Sequence, residues 1–318
     1  MKSITGIGLA LTLLSSAAWA QAPGWTPPAD SVRCPSKWGA TDERGSGNHQ
    51  KAAAVQKAAK LIKTGEAIEL GHVLRGTMPF FGTRRFDVHP KRTFMNPQPN
   101  QRGSNEELVV TEIGQVGTQL DAFNHQTIGN SLYNCHKVDE TATRGGFNKL
   151  GVQNVGQIFT RGILIDVAAH KGVEMLPDEY EITVEDLQQS LAKQNLKIEP
   201  GDAIIIHTGW GKLWEKDNAR YVKTCPGIGV AAAEWLIRQD PLLLGADNWP
   251  VEVAPSKTMP SASLPVHQIA LAVNGVHLLE NLKLDELAAK KVHEFAFVMQ
   301  PLKVQGGSGS TVAPVAVR

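Results

Sequence analysis

Past its first twenty residues, the 318-residue chain has no uninterrupted apolar run approaching the ~18 residues of a membrane span. Charge of one sign is missing too. Its 32 basic and 31 acidic side chains leave a formal +1, with no basic stripe or acidic tail, which argues against nucleic acid and anionic membrane as partners. Cysteine is scarce: Cys34, Cys135 and Cys225 allow one disulfide at most, in a pairing the sequence does not choose. The odd thiol stays free or pairs between chains. Without C-x-x-C, the sequence argues against a cysteine zinc site or redox motif. Familiar catalytic motifs are absent as well. His293-Glu294 does not extend to H-E-x-x-H, and Gly306 to Ser310 misses G-x-S-x-G because Ser stands at 310. Gly227-Ile-Gly229 with Asp247 lacks the apolar strand that must precede a dinucleotide fingerprint. A small-molecule partner is left as the default.

The N-terminus reads as an address. Lys2 supplies a positive n-region, Ile4 to Leu14 an apolar core, and Ala18-Trp19-Ala20 an A-x-A cleavage site. No twin arginine precedes the core and no cysteine follows the site, which points to Sec export of an unlipidated protein, periplasmic or secreted. Cleavage removes Lys2 and leaves a formally neutral chain from Gln21 to Arg318, read as a single domain.

A Pro-rich arm (Pro23, Pro27, Pro28) comes first, then apolar residues at helical spacing across Asn48 to Lys63. Strands are expected at Ala67–Leu70, Leu108–Ile113, Gly162–Val167, Ala203–Thr208, Leu242–Gly245 and, as the last one, Phe295–Met299. Helices are expected after the Thr183/Asp186 capping pair, across Gly229–Arg238 and across Leu284–Val292. Arg92 to Asn105 reads as a loop and Gly306 to Thr311 as a flexible loop or linker. Strands separated by single helices make this an α/β chain.

The informative stretch is Gln115-Val-Gly-Thr-Gln-Leu-Asp-Ala-Phe-Asn-His125. In an extended chain Gln115, Gly117, Gln119 and Asp121 face one way. Six extended residues reach ~20 Å, too far for one ion to bridge, so the chain must bend, most easily at Gly117. Asp121 offers an anionic oxygen and His125 a titratable ring, whereas Gln is an uncommon ligand that binds through a neutral amide oxygen. Periodicity goes no further.

The same stretch resembles the H-x-G-T-H-x-D-x-P-x-H signature of the putative cyclase family, which includes kynurenine formamidase and isatin hydrolase. Gly117, Thr118, Asp121 and His125 match it. Gln115 and Gln119 stand where the family has two metal-binding histidines, and Phe123 replaces the proline. That pattern is similar to a Q-x-x-x-Q-x-D branch typified by trans-dienelactone hydrolase. The likeness extends over Trp38 to Asn48, Gly71 to Gly82, Gly201 to Trp210, Leu264-Pro-Val-His267, Leu278-Leu-Glu280-Asn-Leu and Pro301-Leu-Lys with Gly309-Ser310.

The resemblance implies a swivelling β/β/α fold, a mixed sheet closing toward a barrel with flanking helices, and a homo-oligomer, dimer or tetramer. It also implies Zn²⁺ or Mn²⁺ held by Gln115, Gln119, Asp121 and His267. Glu280 would bind or orient the metal, and His125 would act as general base toward a water acidified by the ion. Amides donate less than imidazoles, so the ion should leave to chelators more easily than in His-containing relatives. The implied reaction is the opening of a small lactone or cyclic amide. Phe80, Phe81 and Trp210 are candidate pocket walls, and Arg84 or Arg85 a candidate for a substrate carboxylate. His277 receives no role. The rival readings are a catalytically silent exported binding protein and a lyase or cyclase using the same site.

Overall fold

Fully buried strands covered on both faces need apolar side chains at every position, and Ile163-Leu-Ile165, Ile204-Ile-Ile206 and Leu243-Leu244 supply them. Alternate residues feed two layers. Ile163, Ile165, Ile204, Ile206 and Leu244 pack into one cluster with Leu187, Ala233 and Leu236. Leu164, Ile205, Leu243 and Leu279 pack into a second cluster with Phe295 and Phe297. The chain is a computed structural model that describes residues 25–94 and 99–318. The leader read at 1–20, and Pro23 with it, lie outside the described residues.

The main sheet has nine strands. In chain order they are β1 (Ala67–Glu69), β2 (Gln119–Asp121), β3 (Ile158–Asp166), β4 (Ala203–His207), β5 (Leu243–Ala246), β6 (His277–Glu280), β7 (Glu294–Met299), β8 (Gly309–Thr311) and β9 (Val315–Val317). Their spatial order is β1-β9-β7-β3-β4-β5-β6-β2-β8. The run from β3 through β4 and β5 to β6 is parallel, and every other pairing is antiparallel. This is a mixed sheet curled into a half-barrel with flanking helices, as the resemblance implies. The helices include α1 (Ala52–Ala59), α2 (Val184–Lys193), opened by the Thr183–Asp186 capping box, and α3 (Val230–Ile237). Among the described residues no helix is long and apolar enough to cross a membrane.

Four expectations are corrected. The helix expected from Asn48 starts only at Ala52. Gln50 instead uses its side-chain amide as a strand-like partner, accepting from the Phe159 N–H at 2.8 Å and donating to the Phe159 carbonyl at 3.1 Å. The loop expected at 92–105 is strand at its two ends, where Phe86–Phe94 pairs with Ser104–Thr111, and is irregular at 99–103; Pro90, Lys91 and Arg92 mask the strand pattern. Phe295–Met299 is not the last strand. The Gly/Ser stretch expected as a flexible linker is β8, which pairs with β2 in the register Gly309↔Asp121 and Thr311↔Gln119 and buries Ser310 completely. Cys34 and Cys135 form the disulfide, and Cys225 is buried and free, which removes it from pairing between chains.

Candidate metal centre

The bend falls at Gly117. Its φ is +65°, and a Cβ there would lie 2.2 Å from Leu74 Cδ2, so glycine answers both the turn and the close approach. Asn281 fastens the turn by donating from Nδ2 to the Gly117 carbonyl at 2.9 Å, while Thr118 Oγ1 donates to the Asn281 carbonyl at 2.6 Å. From there β2 runs straight, with Gln119 and Asp121 on one face. Its pairing with β6 sets Glu280 opposite Gln119. The pairing with β8 needs Gly309, where a Cβ would come 2.7 Å from the Leu120 carbonyl oxygen and 3.2 Å from Gln115 Nε2. Behind the site, buried His277 stacks on Phe123 at 4.1 Å and meets the Asp121 carbonyl oxygen at 2.9 Å through Nδ1. Burial holds its pKa near 4, so the ring is neutral and donates from Nδ1, a role in shaping β2.

The side chains converge. Asp121 Oδ2 lies 3.9 Å from His125 Nε2 and 3.7 Å from His267 Nε2. It is fully buried and has no hydrogen-bond partner. Ligand atoms of these three residues all lie within 4.8 Å of one another. Tetrahedral ligands ~2.1 Å from one ion sit roughly 3.4 Å apart, so Asp121 and His267, at 3.7 Å, need only a few tenths of an ångström of closure to share a divalent cation. A buried carboxylate oxygen left unpaired is costly otherwise. The residues present therefore fit a metal.

Glu280 faces His267 Nε2 with Oε1 at 3.0 Å and accepts from Gln119 Nε2 on Oε2 at 2.7 Å. Gln115 donates from Nε2 to Asp121 Oδ1 and to His125 Nδ1, each at 3.3 Å. Both glutamines thus reach the site with their amide nitrogens toward the carboxylates. Ligation through oxygen requires a half-turn of each amide, which exchanges oxygen and nitrogen in place.

One site residue escaped the sequence reading. Glu252 accepts from the backbone N–H groups of Val266 (2.9 Å) and His267 (3.0 Å), and its Oε1 lies 2.6 Å from His267 Nδ1. A single buried carboxylate thereby caps the helix start that carries His267, fixes Nδ1 as a donor and turns Nε2 toward Asp121. Its only signal was an acid inside the otherwise apolar run Pro250 to Ala254.

Burial raises the Asp121 pKa to about 6, with the Glu280 charge adding to it and the His125 and His267 charges opposing it. Burial lowers that of His125, against the pull of Asp121. Burial would also lower His267, but Glu252 and Glu280 overcome it and raise the ring well above its ordinary value. At the mouth a narrow cleft is lined by Phe80, Phe81, Arg84, Gln115, Tyr221 and Trp249, among others. Phe80 and Phe81 line this cleft; Trp210 does not. It is fully buried behind the cleft, with its indole N–H donated to the Tyr221 carbonyl at 3.1 Å. Of the two arginines, Arg84 lines the cleft and donates to the Gln115 carbonyl at 3.1 Å, while Arg85 turns toward Asp87 outside it.

A search of curated protein sequences gives no match. Solved structures do match. A protein described as a novel cyclase shares 31% identity over 89% of this chain and 98% of its own, with a TM-score of 0.81. Isatin hydrolase A from Ralstonia solanacearum shares 22% identity over 84% of this chain and 96% of its own, with a TM-score of 0.55. An isatin hydrolase bound to the product analogue thioisatinate shares 20% identity over 84% and 98%, with a TM-score of 0.58. The last two establish likeness of fold. The family model described as Putative cyclase spans residues 68–253, from β1 through Glu252. With that span, and with Asp121 and His125 inside it, the chain belongs to the putative cyclase family.

Proposed function

We propose that the protein is a metal-dependent hydrolase that opens a small lactone or cyclic amide. The observation that carries this reading is the unpaired, fully buried Asp121 oxygen aimed at two imidazole nitrogens. Asp121 and His267 would hold the cation, Zn²⁺ or Mn²⁺, and Gln115 and Gln119 would join them after turning their amide oxygens inward. A cation bound there supplies Lewis acidity toward a carbonyl and makes a nearby water easier to deprotonate. His125 is the one imidazole of the trio that is only partly buried, its side chain 18% exposed. Its lowered pKa keeps it neutral near pH 7, so it would take the water's proton and return it to the leaving oxygen or nitrogen. Glu252 would keep His267 in one tautomer, and Glu280 would hold Gln119 and His267 in place.

Phe80, Phe81 and Trp249 would flank the ring of the substrate. Arg84, which makes no ion pair within 4.0 Å among the described residues, would meet a carboxylate on it. The isatin hydrolases that share the fold are hydrolases by name, which favours this reading over a silent binding protein. Export is proposed on the leader motif and the Cys34–Cys135 bridge, since disulfides persist in oxidising compartments. The test is a panel of lactones, cyclic amides and linear esters against the wild type and His125→Asn. The variant should keep its metal and lose about 10²–10⁴-fold in kcat. If it loses the metal instead, His125 is a ligand and the base lies elsewhere; if no panel member turns over in the metal-loaded wild type, the hydrolase reading fails.

A further inference from the structure

Between Arg84 and Gln115 the chain leaves the main sheet as a two-stranded ribbon, Phe86–Phe94 against Ser104–Thr111, that pairs with no other strand among the described residues. A lone hairpin is marginal in water, and this one keeps apolar side chains exposed on both faces. Val88 (49% exposed) stands directly opposite Val109 (41%), and Leu108 is 53% exposed on the other face. Toward its outer end the ribbon's charges are sorted by strand: Lys91 and Arg92 lie on the first, Glu106 and Glu107 on the second, and none of the four makes an ion pair within 4.0 Å among the described residues. Asp87 at its base, on the face opposite Val88, faces Arg85 at 3.5 Å. Pro90 has no N–H to offer a further strand at the edge. The faces are what remain for docking.

We propose that this ribbon is an association arm whose partner is a second copy of the chain, packed face to face about a two-fold axis parallel to the strands. Alternation places Phe86, Val88, Pro90 and Arg92 on one face with Asn105, Glu107, Val109 and Thr111. The two-fold operation lays the basic strand of one copy over the acidic strand of the other. The Val88–Val109 pair then meets its own copy at the centre. Arg92 comes one level along the strand from Glu107 of the partner subunit, and the same contact repeats across the axis. Self-pairing obtains both charge complementarity and register from one sequence, as an isologous interface requires. An unrelated partner would have to supply both. The inference is independent of the chemistry proposed above, but it bears on the cleft, because the ribbon's two ends run directly into Arg84 and Gln115, which hydrogen-bond each other there.

Sedimentation equilibrium of the mature chain at micromolar concentration tests this. The wild type should be dimeric, or a tetramer containing that dimer, and Val88→Glu combined with Val109→Glu should lose the ribbon contact, with an intact thermal transition showing the fold. Arg92→Glu alone and Glu107→Arg alone should each weaken association at least tenfold. An equimolar mixture of the two should restore it as a heterodimer, because each like-charge contact becomes an opposite-charge one. The charge pair decides the matter even where the valine variant fails to fold. A monomeric wild type, an unchanged association constant in the charge variants, or no recovery on mixing would overturn the proposal.

Discussion

Among the described residues two buried histidines sit between pairs of carboxylates, and one of them stands in the candidate metal centre. His267 lies between Glu252 and Glu280 at 2.6 and 3.0 Å. His207, at the end of β4, lies between Asp166 at 2.8 Å and Asp247 at 3.8 Å. The difference is what the nearby acids have left to give. Asp247 spends both oxygens: Oδ1 accepts from the Thr208 N–H and hydroxyl, and Oδ2 from the Gly209 N–H at 2.9 Å. Asp166 accepts on Oδ1 from both His207 and, at 2.9 Å, the Ala169 N–H. Those acids tie together the C-terminal ends of β3 and β4 and the chain just past β5. At His267 the neighbouring Asp121 keeps an oxygen unspent, and a second imidazole, His125, faces it. A fully buried carboxylate oxygen without a partner thus marks the His267 cluster and not the His207 cluster, where Asp247 spends both oxygens.

The largest expected effect separates the two clusters by activity. Asp121→Ala should lose the cation and about 10³-fold or more in kcat/KM, whereas Asp247→Asn should keep both. Stability should show the reverse. His207→Ala leaves Asp166 and Asp247 buried without their imidazole and should cost about 3–5 kcal/mol in urea unfolding, with metal content unchanged. A loss of metal in His207→Ala would erase the distinction. Glu252→Gln should weaken cation affinity about 10–100-fold by loosening the orientation of His267, measured by competition with a chromogenic chelator.

The smallest effects are in pH. Burial alone would lower the His207 pKa, but the Asp166 hydrogen bond and the Asp247 charge raise it, while hydrogen bonding to His207 overcomes burial to lower that of Asp166. The histidine's contribution to stability is therefore fully present below its unfolded pKa of about 6.5 and is lost as pH rises through the raised folded value. The aspartate's contribution is present above about 3.9 and is lost as pH falls through its lowered folded value. The gap between wild type and His207→Ala should narrow as pH rises above 6.5; a gap that widens contradicts the pairing. At the other cluster the sign concerns metal. His267 holds a proton on the ring that a cation must displace, so cation affinity should rise with pH.

Much of the candidate site was legible because its first half is local. Gln115 to His125 carries its own periodicity, and the need for a bend near Gly117 follows from the length of six extended residues. His267 and Glu280 were legible only through resemblance, since neither has a spacing that joins it to Asp121. The strand pairing β2–β6 makes that connection, and pairing partners distant in sequence leave no periodic trace. Glu252 was invisible for the same reason: a lone acid in an apolar run has no pattern, and its function exists only once the helix start at Val266 lies over it. The ends of the sheet misled in another way. Gly309 and Ser310 read as linker by composition, yet the small residues are there because β8 passes within van der Waals distance of Gly114 and Leu120. Trp210 had the composition of a pocket wall, but its N–H was already committed inside the core.

The account rests on an ion at Asp121, so the most direct measurement is the divalent-metal content per chain of the wild type, Asp121→Ala and Asp247→Asn, purified side by side without chelator. The prediction is at least one ion per chain in the wild type and in Asp247→Asn, and little or none in Asp121→Ala. Equal metal in all three, or none in the folded wild type even after incubation with Zn²⁺ or Mn²⁺, would contradict it.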